Sequence, residues 1–192
     1  MSAEKEPKRS ITEEEERALA ALKNEACFFT GHRSIPSTLV RPLNELLQKE
    51  VESLIYQGYR VFLCGSARGF DLMAASAVLQ QKRLHPSLRL ILALPCPNQT
   101  RGWPEPDVLL YETVCRFGEP YLISDAYDPA CMQRRNYFLV DHAVTGVAFY
   151  REKKYSGTAQ TLRYAERKNI PVINLASLLP DPDSAGTDRK KL

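Results

Sequence analysis

The stretch Arg60–Leu84 reads RVFLCGSARGFDLMAASAVLQQKRL, and its reading decides the fold. Arg60 to Cys64 is a short apolar run, rich in residues that favour extended backbone, and it stops at a glycine. Gly65 to Gly69 then has turn composition, and Phe70 to Leu84 returns apolar residues at helical spacing. Strand, glycine-bearing turn and helix in that order form the first half of a βαβ unit.

The same alternation repeats outward in both directions. Further strands are expected at Ala26–Thr30, Leu88–Leu94, Pro120–Ile123, Val144–Tyr150 and Val172–Leu175. Helices are expected at Ser37–Gln57, Pro104–Phe117, Pro129–His142 and Thr158–Lys168, the first with Leu43, Leu46, Leu47, Val51, Leu54 and Ile55 on one stripe. Gly58 and Asn169 stand where helix C-caps belong. The pattern predicts an α/β fold: a doubly wound, mostly parallel sheet of about six strands with helices on both faces. Residues 1–25 read as a polar N-terminal extension with a peripheral helix over Ile11–Lys23, for which Thr12 is an N-cap. From 179 to 192 the Pro-Asp-Pro-Asp run and its polar sequel read as a disordered tail.

The 192 residues suit one domain, and 44% hydrophobic with 26% charged residues is ordinary globular composition. A net charge of +3, much of it in Arg189-Lys190-Lys191, argues against a nucleic-acid groove but leaves room for one phosphate site. Five widely spaced cysteines without a CxxC pair argue against a disulfide framework or a zinc site, and point to a reducing, cytoplasmic setting. No run reaches the roughly 18 apolar residues of a membrane span. No metal is expected.

Three strand ends pass into loops with glycine: Thr30-Gly31-His32-Arg33, Gly65-Ser66-Ala67-Arg68-Gly69-Phe70-Asp71 and Tyr155-Ser156-Gly157-Thr158. In a parallel sheet the loops after strands share the carboxyl edge, so these segments are expected to meet and form one site. Glycine permits close backbone approach and a helix N-terminus offers free N–H groups, a combination that suits phosphate. Neither GxGxxG with its later acid nor GxxxxGK[ST] is present, which disfavours a dinucleotide dehydrogenase and a P-loop NTPase. Arg135, in Met132-Gln133-Arg134-Arg135-Asn136, is placed either to clamp a phosphate or to lie solvated on a helix face. Asp71 suits a ribose hydroxyl or a helix start equally, and His32 suits phosphate donation or proton transfer. The long loop Pro95–Trp103, with Gln99, reads as a side wall, and Trp103 as a base-stacking or a purely structural residue.

Taken together, these motifs, with Ala74-Ala75, Leu139-Val140-Asp141 and Tyr164-Ala165, resemble the YpsA-like branch of the SLOG superfamily over about residues 26–175. That superfamily also holds the DNA-processing protein DprA and the LOG-type "lysine decarboxylase" proteins, which are phosphoribohydrolases acting on nucleoside monophosphates. The resemblance implies a Rossmann-like domain over residues 26–178, a nucleotide-type small-molecule ligand and homo-oligomers. It places ligand contacts at Gly31, His32, Arg33, Gly65, Ser66, Ala67, Arg68, Gly69, Asp71, Gln99, Arg135, Asn136, Gly157 and Thr158. In the hydrolytic relatives a Gly-Gly-x-Gly-Thr-x-x-Glu stretch supplies a carboxylate that works with the Arg of Met-x-x-Arg. Here Arg135 matches, but Lys154-Tyr155-Ser156-Gly157-Thr158-Ala159-Gln160-Thr161 carries no acid at the Glu positions. The expectation is therefore a sensor or regulatory module for a nucleotide or ADP-ribose-like ligand, with no other cofactor. The alternatives are nucleoside-monophosphate cleavage through another acid such as Asp71, and DprA-like single-stranded DNA binding.

Overall fold

Each expected alternation of apolar run and amphipathic stretch forms its strand and helix. The computed structural model describes residues 9–151 and 155–180. Along it follow β1 (Arg9–Ser10), α1 (Glu13–Ala21), β2 (Ala26–Gly31), α2 (Ser37–Tyr56), β3 (Val61–Cys64), α3 (Phe70–Lys82) and β4 (Arg89–Leu94). The second half comprises α4 (Glu105–Phe117), β5 (Glu119–Leu122), α5 (Cys131–Asp141), β6 (Thr145–Phe149), α6 (Gly157–Arg167) and β7 (Val172–Asn174). Gly58 (φ +99°) and Asn169 (φ +55°) adopt the left-handed backbone that ends α2 and α6. The expected tail lies almost wholly in residues 181–192, outside the described residues.

The sheet has seven strands in the order β1-β5-β4-β3-β2-β6-β7, and every pairing is parallel. The seventh strand corrects the reading of the N-terminal segment as a mere extension. Arg9 and Ser10 pair with Tyr121 and Leu122 at the edge of β5, and the Ile11 N–H donates to the Leu122 carbonyl at 3.3 Å. Two residues are too few to show a period of two, so no sequence pattern announces them. Directly after them Thr12 and Glu15 cap α1 reciprocally, each side chain accepting a backbone N–H of the other.

Side chains of the inner strands alternate between two cores. Cys27, Phe29, Phe62 and Leu92 face α2, α3 and α4, whereas Ala26, Phe28, Leu63 and Ile91 face α1, α5 and α6. Burial on both faces explains why β2, β3 and β4 read as nearly unbroken apolar runs. From β2 the chain winds outward through β3, β4 and β5, then crosses back by α5 to β6 on the other side of β2. The ends of β2 and β6 therefore flank a topological switch point, where connections leave in opposite directions and a crevice opens at the carboxyl edge.

Candidate functional site

A cavity of about 520 Å³ occupies that crevice. The segment after β2 supplies Thr30, Gly31, His32, Arg33 and Ser34, the turn into α3 supplies Ala67 and Asp71, α5 supplies Met132, Arg135 and Asn136, and the start of α6 supplies Ser156, Gly157 and Thr158. Of the residues marked in the sequence, Gly31, His32, Arg33, Ala67, Asp71, Arg135, Asn136, Gly157 and Thr158 thus line one space. Thr30, Ser34, Met132 and Ser156 join them without having been singled out. Thr30, Met132 and Ser156 lie within the quoted motifs, and Ser34 is the chain neighbour of Arg33.

At the centre stand a buried guanidinium and a buried carboxylate. Arg135 is 4% exposed; its Nε donates to Asn136 Oδ1 at 2.8 Å and its Nη1 donates to the Gly65 carbonyl. It is therefore anchored from below and not a solvated helix-face arginine. Asp71, 5% exposed, accepts the Ala67 N–H at 3.3 Å. Burial raises its carboxyl to about 6 from the ordinary 3.8, a rise that the Arg135 charge and the N–H groups of Ala67 and Gly31 only partly oppose. Burial likewise presses the Arg135 pKa down, and Asp71 supports it. Beneath them, the Cys64 thiol donates to the Asp71 carbonyl at 3.1 Å and accepts the Ser66 N–H at 3.4 Å.

The glycines of the first two loops serve the protein's own packing. A Cβ on Gly65 would lie 2.0 Å from Arg135 Nη1 and 2.8 Å from Asp71 Oδ2, so this glycine makes room for the central pair. Gly69 has φ +76°, and a Cβ there would lie 2.6 Å from the Arg33 backbone. A Cβ on Gly31 would strike the Phe70 side chain at 2.5 Å. Gly31 and Gly69 thus let the loops of β2 and β3 dock on each other. Gly157 differs, since a Cβ there would meet nothing nearer than Asn136 Nδ2 at 3.6 Å.

Gly65, Ser66, Arg68, Gly69 and Gln99 do not line the cavity, contrary to the sequence expectation. Arg68 turns outward to Asp107 on α4, with Nε 2.5 Å from Oδ2. Gln99 lies under the turn, its Nε2 reaching the Ser66 carbonyl at 3.4 Å, so the Pro95–Trp103 loop supports the site from outside. Trp103 packs edge-on against Tyr111 at 5.7 Å and joins the first core, which leaves it a structural residue. Ser66 holds a left-handed φ of +52° although it has a side chain. Such a conformation is held against its intrinsic preference by the docked turn around it.

His32 is tied by its ring: Nε2 lies 2.8 Å from the Arg151 carbonyl oxygen and 2.9 Å from the Arg151 N–H. A neutral ring with Nε2 bare accepts the N–H, and a ring protonated there donates to the carbonyl, so the two contacts belong to different protonation states. Either way Nε2 is committed to backbone, and the ring lies against Phe149 and Tyr150 at 6.0 and 5.4 Å. Two cationic or donor features remain open to the cavity. Arg33 is exposed and has no hydrogen-bond or ion-pair partner among the described residues. Ser156 caps α6 by accepting the Ala159 N–H at 3.1 Å, which leaves the N–H groups of Gly157 and Thr158 without helical acceptors. Among the described residues no cluster of His, Cys, Asp and Glu could hold a metal, and no helix is long and apolar enough to cross a membrane.

A model of the YspA SLOG family matches residues 27–177, from the first buried strand to the turn after the last. The chain belongs to that family. Among its curated relatives, the SPbeta prophage-derived protein YoqJ of Bacillus subtilis is 30% identical over 142 residues, covering 67% of this chain and 78% of its own. A UPF0398 protein of Halalkalibacterium halodurans is 24% identical over 144 residues, covering 73% and 74%. Among solved structures, DNA processing protein A of Helicobacter pylori, described for its single-stranded DNA binding mode, superposes with a TM-score of 0.58 at 16% identity. DNA processing protein A of Streptococcus pneumoniae gives 0.56 at 16% identity. The matches cover 81% and 79% of this chain but only 66% and 50% of those proteins, and at such identity the likeness is one of fold.

In this SLOG chain several of the motif residues serve to hold α5 and α6 together. Tyr164 donates its hydroxyl to the Asp141 carboxylate at 3.0 Å and stacks on Tyr137 with ring centroids 3.9 Å apart, while Lys168 reaches Asp141 at 3.2 Å. Thr161, in the stretch where hydrolytic relatives carry the acid, is fully buried and donates to the Gly157 carbonyl at 2.8 Å. Neither Thr161 nor Gln160 lines the cavity, and among the described residues its one acidic lining residue is Asp71.

Proposed function

We propose that the cavity binds the phosphate of a nucleotide or nucleotide-derived molecule, of the ADP-ribose kind, and that the protein acts as a sensor or regulatory module. The observation that carries this reading is the convergence of Arg33, which has no hydrogen-bond or ion-pair partner among the described residues, and the open N-terminus of α6 over a floor formed by Arg135. Among the described lining residues Arg33 and Arg135 stand against one carboxylate, Asp71, and the α6 terminus adds a positive partial charge, so the space favours an anion. A cavity of about 520 Å³ is of the size that takes a small organic ligand. Asn136 and Asp71 are suited to a ribose hydroxyl beside the phosphate.

Isothermal titration calorimetry with AMP, ADP, ADP-ribose and sulfate tests the reading. At least one nucleotide should bind, and Arg33→Ala should weaken it by about 1.5–3 kcal/mol, the range for a hydrogen bond to a charged group. Because Arg33 is exposed and has no such partner among the described residues, its loss should leave the melting temperature unchanged. A wild-type protein that binds none of the four overturns the proposal. A second reading has its own observation: Asp71, with its carboxyl raised to about 6 and facing the cavity, is an acid suited to N-glycosidic cleavage. It requires release of free base from a nucleoside monophosphate, lost in Asp71→Ala. Single-stranded DNA binding has little support in the sequence, where the net charge is only +3 and no basic, aromatic-bearing stripe stands out.

A further inference from the structure

α4 carries more apolar side chains than the core takes up. Tyr111 and Val114 are buried in the first core, whereas Leu110 and Phe117 stay 39% and 59% exposed. Leu110, Thr113, Val114 and Phe117 recur at helical spacing and so form one ridge along α4. Ser76, Leu79, Gln80 and Arg83 form a matching ridge on α3. Between the two ridges lies a groove of about 620 Å³, with the buried Val114 at its floor.

Each helix follows a strand of the parallel sheet, so both run from the carboxyl edge to the amino edge. Arg83 and Phe117 therefore stand at one end of the groove, and Ser76 and Leu110 at the other. Lys82, one position off the α3 ridge, also reaches the groove. Neither Lys82 nor Arg83 has an ion-pair partner among the described residues, and no carboxylate stands among the described residues that line the groove. Glu112 of α4 lies about 100° or more round the helix from every member of its ridge. The groove is thus apolar along its length and cationic at one end.

That asymmetry selects the ligand. A volume of about 620 Å³ falls within the roughly 300–1,000 Å³ of small-molecule sites. Nine described residues line the groove, against roughly 20–30 a side in a stable protein interface, which favours a small molecule over a protein partner. Each ridge advances seven residues, about 10 Å at the helix rise, which is the reach of an unbranched chain of roughly eight carbons. We infer that the α3–α4 groove is a second ligand site, which takes an amphiphile with a straight apolar chain and a single anionic head group. The head lies at Lys82 and Arg83, and the chain runs over Leu79 and Val114 toward Leu110. The site is separate from the cavity between β2 and β6 and does not depend on what that cavity binds.

Isothermal titration calorimetry of the full chain with sodium octanoate tests the groove. Octanoate should bind at one saturable site with a dissociation constant below about 1 mM, and 1-octanol, which has the chain without the charge, at least about tenfold more weakly. Replacing the two cations together, Lys82→Glu with Arg83→Glu, should raise the octanoate dissociation constant about tenfold, and Phe117→Ser about fivefold. Arg83 and Phe117 are exposed and Lys82 is half-buried, and unchanged circular dichroism verifies that the variants fold. A wild type without a saturable octanoate site overturns the inference, as does 1-octanol binding as tightly as octanoate. Octanoate binding that is indifferent to these variants, or that is lost in Arg33→Ala instead, places the amphiphile elsewhere and overturns it too. Cosedimentation with phosphatidylglycerol vesicles in the absence of a saturable octanoate site would overturn it in favour of a membrane surface.

Discussion

Replacing Asp71 by Asn should change how the stability of the protein depends on pH. The carboxyl is 5% exposed and its pKa is raised from 3.8 to about 6, by burial above all, so between those values the folded protein holds a proton that the unfolded chain has released. At 1.36 kcal/mol per unit, this shift amounts to roughly 3 kcal/mol. Its sign is set by linkage: the contribution is fully present below about pH 4 and is lost as pH rises through about 6. Urea unfolding of wild type and D71N at intervals from pH 4 to 8 isolates it. The variant should gain roughly 3 kcal/mol on the wild type between pH 4 and 7, with the change centred between the two pKa values. The attraction of Arg135 for the ionised carboxylate is already contained in the wild-type pKa, since at low pH the wild type, like the variant, holds a neutral group there. Other titrating groups are common to both proteins and cancel in the difference. A difference that stays flat to within about 0.5 kcal/mol, the scatter expected of surface changes, would refute burial as the ruling influence on Asp71.

Arg135→Ala should lower stability by about 1–3 kcal/mol, because it leaves the buried Gly65 carbonyl without its donor, and should weaken nucleotide binding by about 1.5–3 kcal/mol; chemical denaturation and calorimetry measure the two separately. Gly69→Ala forces a side chain into φ +76° and against the Arg33 backbone, and should destabilise by about 2–4 kcal/mol on chemical denaturation. With no carboxylate at Gln160 or Thr161, micromolar protein should release little or no free base from AMP, GMP, CMP or UMP, followed chromatographically. Turnover that disappears in Asp71→Ala would assign the acid to that residue.

The order of elements and the shared edge of the loops were legible along the chain, because apolar period and turn chemistry are local properties. Arg60–Leu84 alone announces strand, turn and helix, and α1 is announced by Thr12 as its N-cap. A parallel sheet then obliges the loops after β2, β3 and β6 to emerge together, and nine of the fourteen residues marked in the sequence do line one cavity. Which way each side chain turns was not legible. Arg33 and Arg68 read alike as loop arginines beside glycine, yet Arg33 faces the cavity and Arg68 is drawn to Asp107, 39 residues away on α4. Gly65 reads as a ligand-approach glycine, but its requirement comes from Arg135, 70 residues on. β1 escaped notice because a two-residue strand exists only through its partner β5. Local pattern determined the elements and the edge on which a site must form. Contacts between segments distant in the chain decided which side chains fill that site, since burial, charge pairing and close approach arise only when the segments are packed together.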